Sequence, residues 1–494
     1  MAESTFFRMP VGGRPRRGYM TKVTETLRAK IMYGCGTVAY GVKDNAFLVF
    51  LLFYYSRVVG LSPELAGTAL LIAMIADAIT DPMVGQLSDN LRTRIGRRHP
   101  LMLASALPVA ISFYLLWFPP DGLTQGELFA YLLTFAILTR VAITFYEIPS
   151  NAMLAEITQD YDQRVKFTSI RYFFGWIGGG GLAVFSYATF FAATPDYPNG
   201  QLNPLAYEDY ALLAASLMFS FILISTLGTL RYVPYLVTGN APKLVGLSSV
   251  VNNMWKVVTD RVYLPLFLNT LAQFGAKGIV FSLSLFFNIF YWGFSPAQIA
   301  ILGLALLLGS ALALVIAPAV SKGKLGKRSA AIRLAVFAAV LVPLPVVFRA
   351  FDFMPENGDP VLMYTIFIHL VVVVSAKIAS EILVSAMVAD VVDDNEVRVG
   401  RRNAGVFSAV QKFAEKSTSG IGLFVAGLII GATGLEADMS AAEVTPEMLT
   451  TLAAYFVPTI MCFYIASVYL LTRFTLTREK HDKNIEALRT RAAE

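Results

Sequence analysis

The stretch LLIAMIADAITDPMVGQLSDNLRTRIGRRHP, residues 70–100, decides the fold class. It begins as an apolar segment and ends in a dense basic loop, a pattern typical of a membrane-spanning helix followed by a cytoplasmic turn. Two aspartates, Asp77 and Asp81, interrupt the apolar part. A carboxylate at membrane depth costs about 2.5–3.5 kcal/mol on insertion scales, and a four-residue spacing puts both on one helix face. The pair therefore requires a compensating cation: a proton, a metal ion, or a facing Lys or Arg.

Composition extends this interpretation to the whole chain. Of its 494 residues, 56% are hydrophobic and only 15% are charged, whereas soluble domains carry about 25% charged residues. This composition predicts a membrane protein with several spans. The two cysteines, Cys35 and Cys462, fall in predicted spans, so we expect packing roles and neither a disulfide framework nor a metal site.

Apolar segments of about 20 residues can each cross a bilayer, and twelve are predicted. Most of the 40 Lys and Arg residues lie in the N-terminus, alternate loops and the C-terminal tail, which places both termini in the cytoplasm. The net charge of +6 therefore reflects topology, and no nucleic acid is expected as a partner. The spans are predicted near 31–56, 65–88, 100–119, 128–155, 168–192, 211–232, 262–291, 297–320, 329–349, 360–388, 406–431 and 449–472.

A polar segment in the middle of the chain divides these spans into two halves that weakly echo each other. A proline followed by a short basic loop with a glycine recurs after the second and eighth spans, as expected for parallel repeats around a central cavity. We predict an all-α membrane protein of two six-helix bundles. The predicted divisions are a cytoplasmic segment 1–30, a bundle 31–232, a cytoplasmic linker 233–261, a bundle 262–472 and a cytoplasmic tail 473–494.

The second span and its loop resemble the glycoside–pentoside–hexuronide:cation symporters, a branch of the major facilitator superfamily. Further landmarks of that family follow in order along the chain: KDN at 43–45, YEIPS at 146–150, SIRYFFG at 169–175, MVADVVDDNE at 387–396 and QKFAEKS at 411–417. The resemblance implies a cation-coupled transporter of a sugar or sugar derivative, with two bundles rocking around a central site.

The resemblance also implies roles for single residues. Asp77 and Asp81 match the acidic pair that binds the coupling cation, and Thr80 and Thr144 match positions that can add oxygen ligands. Two carboxylates with nearby hydroxyls suit Na⁺ or Li⁺, whereas their mutual repulsion suits H⁺, so the choice of cation stays open. No other metal and no cofactor is expected.

Other positions match sugar-binding and counter-charge residues. Asp44 and Glu147 match the sugar-binding acids of the first and fourth helices. Arg171 and Lys416 match basic residues near the cation and sugar sites, and either could instead pair with the acidic residues in a purely structural charge network. The basic loop is interpreted as a topology anchor and gating contact, with Asp89, Arg94, Arg97 and Arg98 as its candidate residues.

Departures from the family pattern bear on the substrate. Melibiose permease, a typical member, has tryptophans where this chain has Asn151 and Glu381. Besides Lys416, three lysines lie in predicted spans of the second half of the chain: Lys277, Lys377 and Lys412. Their charges favour an acidic sugar such as a hexuronide. Alternatively, Lys377 could pair with Glu381 and Lys412 with Glu415. A neutral glycoside and a lysophospholipid or other amphipathic ligand remain the alternatives. We expect the lipid bilayer and a small sugar-like solute as partners, and a monomer suffices.

Overall fold

The computed structural model describes residues 26–158, 161–235, 247–321, 326–400, 404–435, 439 and 443–493. Most of the predicted segment 1–30 and residues 236–246 of the predicted linker lie outside these ranges. All regular secondary structure in the described residues is helical. The helices at the twelve predicted spans are α1 (Leu27–Val59), α2 (Pro63–Asn90), α3 (His99–Leu115), α4 (Gln125–Ile157), α5 (Tyr161–Trp176, continued by Ile177–Gly181 and Leu182–Ala188), α6 (Pro204–Leu230), α7 (Leu264–Tyr291), α8 (Pro296–Ser321), α9 (Gly326–Ala350), α10 (Pro360–Val399), α11 (Ala404–Thr433) and α12 (Pro446–Arg473).

Ten helices in the described ranges are long and apolar enough to cross a membrane. The other two lie at the third and fifth predicted spans: α3 is a shorter apolar helix, and α5 carries a π-helical turn at Ile177–Gly181. The all-helical membrane fold predicted from the sequence is confirmed, and the positions of these helices are consistent with twelve spans.

Local sequence explains where several helices begin. Ser62, Asp359 and Thr445 each accept a hydrogen bond from a backbone N–H of the first helical turn, and each is followed by a proline, which needs no hydrogen-bond partner there. At the start of α4, Thr124 and Glu127 form a reciprocal capping box. These residues fix the helix ends on the side predicted to face outward.

Glycines permit a close approach of α1 and α5. A Cβ atom on Gly178 would lie 2.4 Å from the carbonyl oxygen of Val38, and one on Gly41 would lie 1.9 Å from that of Gly175. Within the glycine run Gly178–Gly181, Gly178 and Gly179 therefore pack against α1, whereas Gly180 and Gly181 have ordinary space around them. The packing anchors α1 beside the central cavity.

The two bundles meet on the predicted outer side and separate toward the predicted cytoplasmic side. On α11, the outer residues Lys416, Gly420 and Leu423 are buried along the face that meets α2. Toward the predicted cytoplasmic end of the same face, Ala409 and Phe413 are exposed. Farther out, a Cβ atom on Gly427 would lie 2.4 Å from the carbonyl oxygen of Pro63 at the start of α2. The central cavity is therefore closed outward and open inward.

The end of α10 on the predicted cytoplasmic side extends well beyond the predicted span 360–388 because its polar residues continue the helix to Val399. A tail helix (Arg478–Ala493) docks on this extension: Asn484 donates to Asp394 Oδ1 at 2.9 Å, and Lys480 Nζ lies 3.4 Å from the same atom. Arg398 joins Asp394 to Asp260, which follows a linker helix (Leu247–Val258). The charged tail is therefore held against the second bundle through its polar residues.

Candidate functional site

Asp77 lies in the centre of α2 and is only 1% exposed. Its Oδ2 atom accepts hydrogen bonds from Nε and Nη2 of Arg140 on α4, at 3.1 and 2.8 Å, and Thr144 donates to its Oδ1 atom at 2.7 Å. Arg140 is itself 1% exposed and lies over the ring of Phe47, 4.8 Å from its centroid. Arg140, which the sequence analysis did not assign to the site, is thus the principal counter-ion of Asp77.

Asp81, one turn along α2, faces the opposite bundle. Nζ of Lys416 on α11 lies 2.6 Å from Asp81 Oδ2 and 3.2 Å from Asp77 Oδ2. The same ammonium is 4.0 Å from Glu147 Oε2, a buried atom that has no hydrogen-bond partner in the described structure. Three carboxylates from the first bundle therefore surround one cation from the second.

The two threonines of the predicted cation site differ in position. Thr144 lies between the acidic residues, with its hydroxyl 2.7 Å from Asp77 and 3.3 Å from Asp81. Thr80 instead donates to the backbone carbonyl of Asp77 at 3.0 Å. Among the described residues, no cluster of three or more His, Cys, Asp or Glu residues could hold a metal ion.

Asp44 lies on α1 and pairs with its sequence neighbour Lys43, Nζ to Oδ1 at 2.7 Å. The lysine is fully buried, and the aspartate side chain remains 35% exposed. The carboxylate is thereby partly neutralised but still accessible, a combination that suits hydrogen bonding to a polar ligand.

Arg171 does not join the acidic network. Its Nη1 atom donates to the hydroxyls of Tyr33 and Ser150 at 2.9 and 3.0 Å, and its guanidinium lies over the Tyr33 ring. The structural alternative raised by the sequence, in which Arg171 pairs with Asp77 or Asp81, is therefore wrong in this conformation. Lys416 makes that contact.

The remaining basic residues of the second bundle have different partners. Lys412 lies 2.6 Å from Glu415, and its side chain is 59% exposed. Lys377 approaches the ring of Tyr464, and Lys277 lies near Phe274 and Phe281. Within the described ranges neither Lys277 nor Lys377 forms an ion pair, so the expected alternative of a Lys377–Glu381 pair is not found.

Two aromatic residues on α5 were missed by the sequence analysis. Tyr172 is 67% exposed. Trp176 is one turn farther along the same face and 40% exposed. A Cβ atom on Gly180 would lie 3.8 Å from both Trp176 and Leu307 of α8. Asn151, the residue at the place of a family tryptophan, is also exposed. The four-residue spacing of Tyr172 and Trp176 places both rings on one face of α5, but the sequence does not show that this face is exposed.

The basic loop after α2 is tied to the end of α4. Arg97 and Arg98 both contact Glu156 Oε1, at 2.7 and 2.9 Å, and Arg98 also lies 2.5 Å from Asp89. Arg94 is exposed. Glu156, which the sequence analysis did not single out, is thus the residue that fastens the loop.

Two helical bundles that enclose a buried charge cluster and a cavity open to one side define a secondary transporter of the major facilitator fold. The MFS/sugar transport protein family matches residues 32–478. The chain belongs to the glycoside–pentoside–hexuronide:cation symporters of that superfamily, which are multi-pass membrane transporters and not enzymes.

Three comparisons illustrate its relatives. The isoprimeverose transporter of Lactiplantibacillus pentosus is 26% identical over 414 residues, which cover 83% of this chain and 81% of that protein. The sodium-dependent lysophosphatidylcholine symporter 1 of Gallus gallus is 30% identical over 164 residues, which cover 33% of this chain and 31% of that protein. A D-xylose–proton symporter structure superposes with a TM-score of 0.53 at 16% identity, over 93% of this chain and 98% of that one, and supports the fold.

Proposed function

We propose that the protein moves a sugar or sugar derivative together with one monovalent cation by alternating access of its two bundles. The observation that carries the proposal is the ion pair between Lys416 of α11 and Asp81 of α2, with Nζ 2.6 Å from Oδ2. This pair joins the bundles at the buried acidic cluster. Any cation that neutralises the cluster changes the contact between the bundles directly.

Charge counting supports one coupling cation. Asp77 is balanced by Arg140, which leaves Asp81 and Glu147 with Lys416, a net charge of minus one by formal count. A cation held at Asp81 and Glu147 weakens their attraction for Lys416. The ammonium is then available to a ligand in the cavity. By linkage, the ligand raises the affinity for the cation by the same factor.

An anionic sugar fits the charges of the second bundle better than a neutral one. Lys277 and Lys377 lack ion-pair partners in the described structure, and Lys416 is released by the cation in this scheme. An ammonium binds a carboxylate well when water is excluded. Tyr172 and Trp176 supply exposed rings on which the apolar face of a sugar can stack.

Uptake into proteoliposomes tests the proposal. Sodium and proton gradients should be imposed separately, with a neutral galactoside, a uronate and a lysophospholipid as substrates. We expect gradient-driven accumulation of the uronate, with the neutral galactoside at least tenfold weaker as a competitor. The opposite ranking would remove the acidic-sugar proposal, and absence of gradient-driven uptake of any sugar would overturn the function itself.

A charge-removing variant locates the coupling site. Asp81→Asn is expected to lower concentrative uptake at least a hundredfold, because the cluster then loses its single uncompensated charge. Asp209→Asn is the matched control, since Asp209 is an exposed carboxylate near the start of α6. Retained concentrative uptake in Asp81→Asn would contradict the cation-site assignment.

A lysophospholipid is a second candidate, because one relative carries that ligand in its name and α5 exposes apolar side chains. Phe173 is 60% exposed and Ile177 is 47% exposed. These residues could line a route for an acyl chain between α5 and the second bundle. Cation-driven uptake of the lysophospholipid, with no competition by uronate or galactoside, would favour this candidate over the sugar.

A further inference from the structure

Arg140 donates two hydrogen bonds to the carboxylate of Asp77. Oδ2 accepts from both Nε and Nη2 of Arg140 and also lies 3.2 Å from Lys416 Nζ, while Oδ1 accepts from Thr144. A carboxylate offers about four lone-pair positions. Each oxygen of Asp77 therefore already has a donor within hydrogen-bond distance.

A metal cation at Asp77 would also meet adverse charges. It needs several oxygen ligands and would share Asp77 with the guanidinium of Arg140 and the ammonium of Lys416. Facing Asp81 are Lys416, Asp77, Glu147 and the hydroxyl of Thr144. Of the two aspartates, only Asp81 thus remains without an arginine.

We propose that Arg140 is a built-in cation that closes Asp77 to Na⁺ and makes substrate uptake independent of sodium. The inference rests on the proposed symport function and refines it. Asp77 becomes a fixed counter-ion of α4, and the coupling charge enters at Asp81 and Glu147. Arg140 is accordingly a specificity-determining residue for the coupling ion, whereas the sequence placed both aspartates in one cation site.

Removal of Arg140 should create sodium dependence. In Arg140→Gln, Asp77 regains free oxygens and the cluster gains one net negative charge. We expect the purified wild-type protein to bind no radioactive Na⁺ saturably up to 100 mM, a concentration far above the dissociation constant of about 1 mM of weak calcium sites. Arg140→Gln should bind Na⁺ within that range. In proteoliposomes without a pH gradient, a sodium gradient should stimulate Arg140→Gln at least tenfold and the wild type less than twofold.

A double variant separates the loss of the Arg140 charge from misfolding caused by an uncompensated buried charge. Arg140→Gln with Asp77→Asn removes both charges and leaves two amides that can hydrogen-bond to each other. It should keep uptake driven by a pH gradient within about tenfold of the wild type, whereas Asp77→Asn alone should fail because it leaves Arg140 buried without a counter-charge.

Each outcome has a distinct meaning. Sodium-driven uptake or saturable Na⁺ binding by the wild type would overturn the inference and leave the symport function standing. Loss of pH-driven uptake in a folded, monodisperse double variant would show that Asp77 itself carries the coupling charge, and would also overturn it. A folded Arg140→Gln that gains no Na⁺ binding would do the same. Failure of every gradient to drive wild-type uptake would instead count against the proposed function.

Discussion

Two basic side chains in the centre of the molecule compensate the charges of the two aspartates on α2. Arg140 holds Asp77 within the first bundle, and Lys416 holds Asp81 across the boundary to the second. A buried ion pair is costly to break on one side only, because the partner is left charged without compensation. The first pair can persist through a conformational cycle, while the second must separate if the bundles move apart.

The exposed rings of α5 allow a test of sugar binding at the same scale. Trp176→Ala should weaken substrate binding about two- to tenfold, since an aromatic contact contributes roughly 0.5–1.5 kcal/mol. Equilibrium binding to purified protein measures the effect. Trp255→Ala is the matched control, because Trp255 is also an exposed tryptophan, at 65%, and lies on the linker helix, outside α1–α12. Equal affinities of the two variants would remove Trp176 from the site.

The acidic residues could be found from sequence, and their partners only in part. Asp77 and Asp81 stand out because a carboxylate in an apolar run is costly. Arg140 lies deep in a predicted span and carried the same signal, but its contact with Asp77 depends on how α2 packs against α4. The hydrogen bonds from Arg171 to Tyr33 and Ser150 likewise depend on tertiary packing. Exposure of Tyr172 could not be inferred from spacing.

Helix packing positions the site at the level of elements. α1 carries Asp44 and approaches α5 closely because glycines remove the side chains between them. The sequence does not show which glycines of the run Gly178–Gly181 make the contact, because the π-helical turn at Ile177–Gly181 changes which residues face α1. Similarly, the predicted span 360–388 ends before α10 does, because the helix continues through polar residues to Val399.

A pair of alanine variants tests this packing. Gly178→Ala places a Cβ atom 2.4 Å from the Val38 carbonyl oxygen, so the helices must separate. We expect destabilisation of about 1–3 kcal/mol, as for other overpacked interiors, read as a lower midpoint of thermal unfolding in detergent. Gly181→Ala should be near neutral, because the closest atom to its Cβ is 3.7 Å away. Equal midpoints would mean that the α1–α5 contact tolerates a methyl group.

At the scale of the whole molecule, the two bundles enclose a cavity that is shut on one side. α2 and α11 are in backbone contact near their outer ends and diverge inward. Motif order and hydropathy were enough to predict the fold, because membrane spans are set by length and polarity. The direction in which the cavity opens was not predictable, since both states share one sequence.

A reversible cross-link tests the need for outward opening. A Cβ atom on Gly431 of α11 would overlap the carboxylate of Glu64 on α2, so these positions are adjacent across the outer closure. In a background without Cys35 and Cys462, Glu64→Cys with Gly431→Cys should form a disulfide on oxidation. Uptake should fall more than tenfold and return after reduction. Each single-cysteine variant is a control, and undiminished uptake by the fully cross-linked protein would show that this closure does not have to open.

The ion pair of Lys416 with the acidic cluster also has an electrical consequence. One monovalent cation and one singly charged sugar acid together carry no net charge across the bilayer. The transmembrane potential, which does about 2.3 kcal/mol of work per elementary charge at 100 mV, would then contribute nothing to accumulation of that solute. The concentration gradient of the coupling cation alone would set how far the solute can be concentrated.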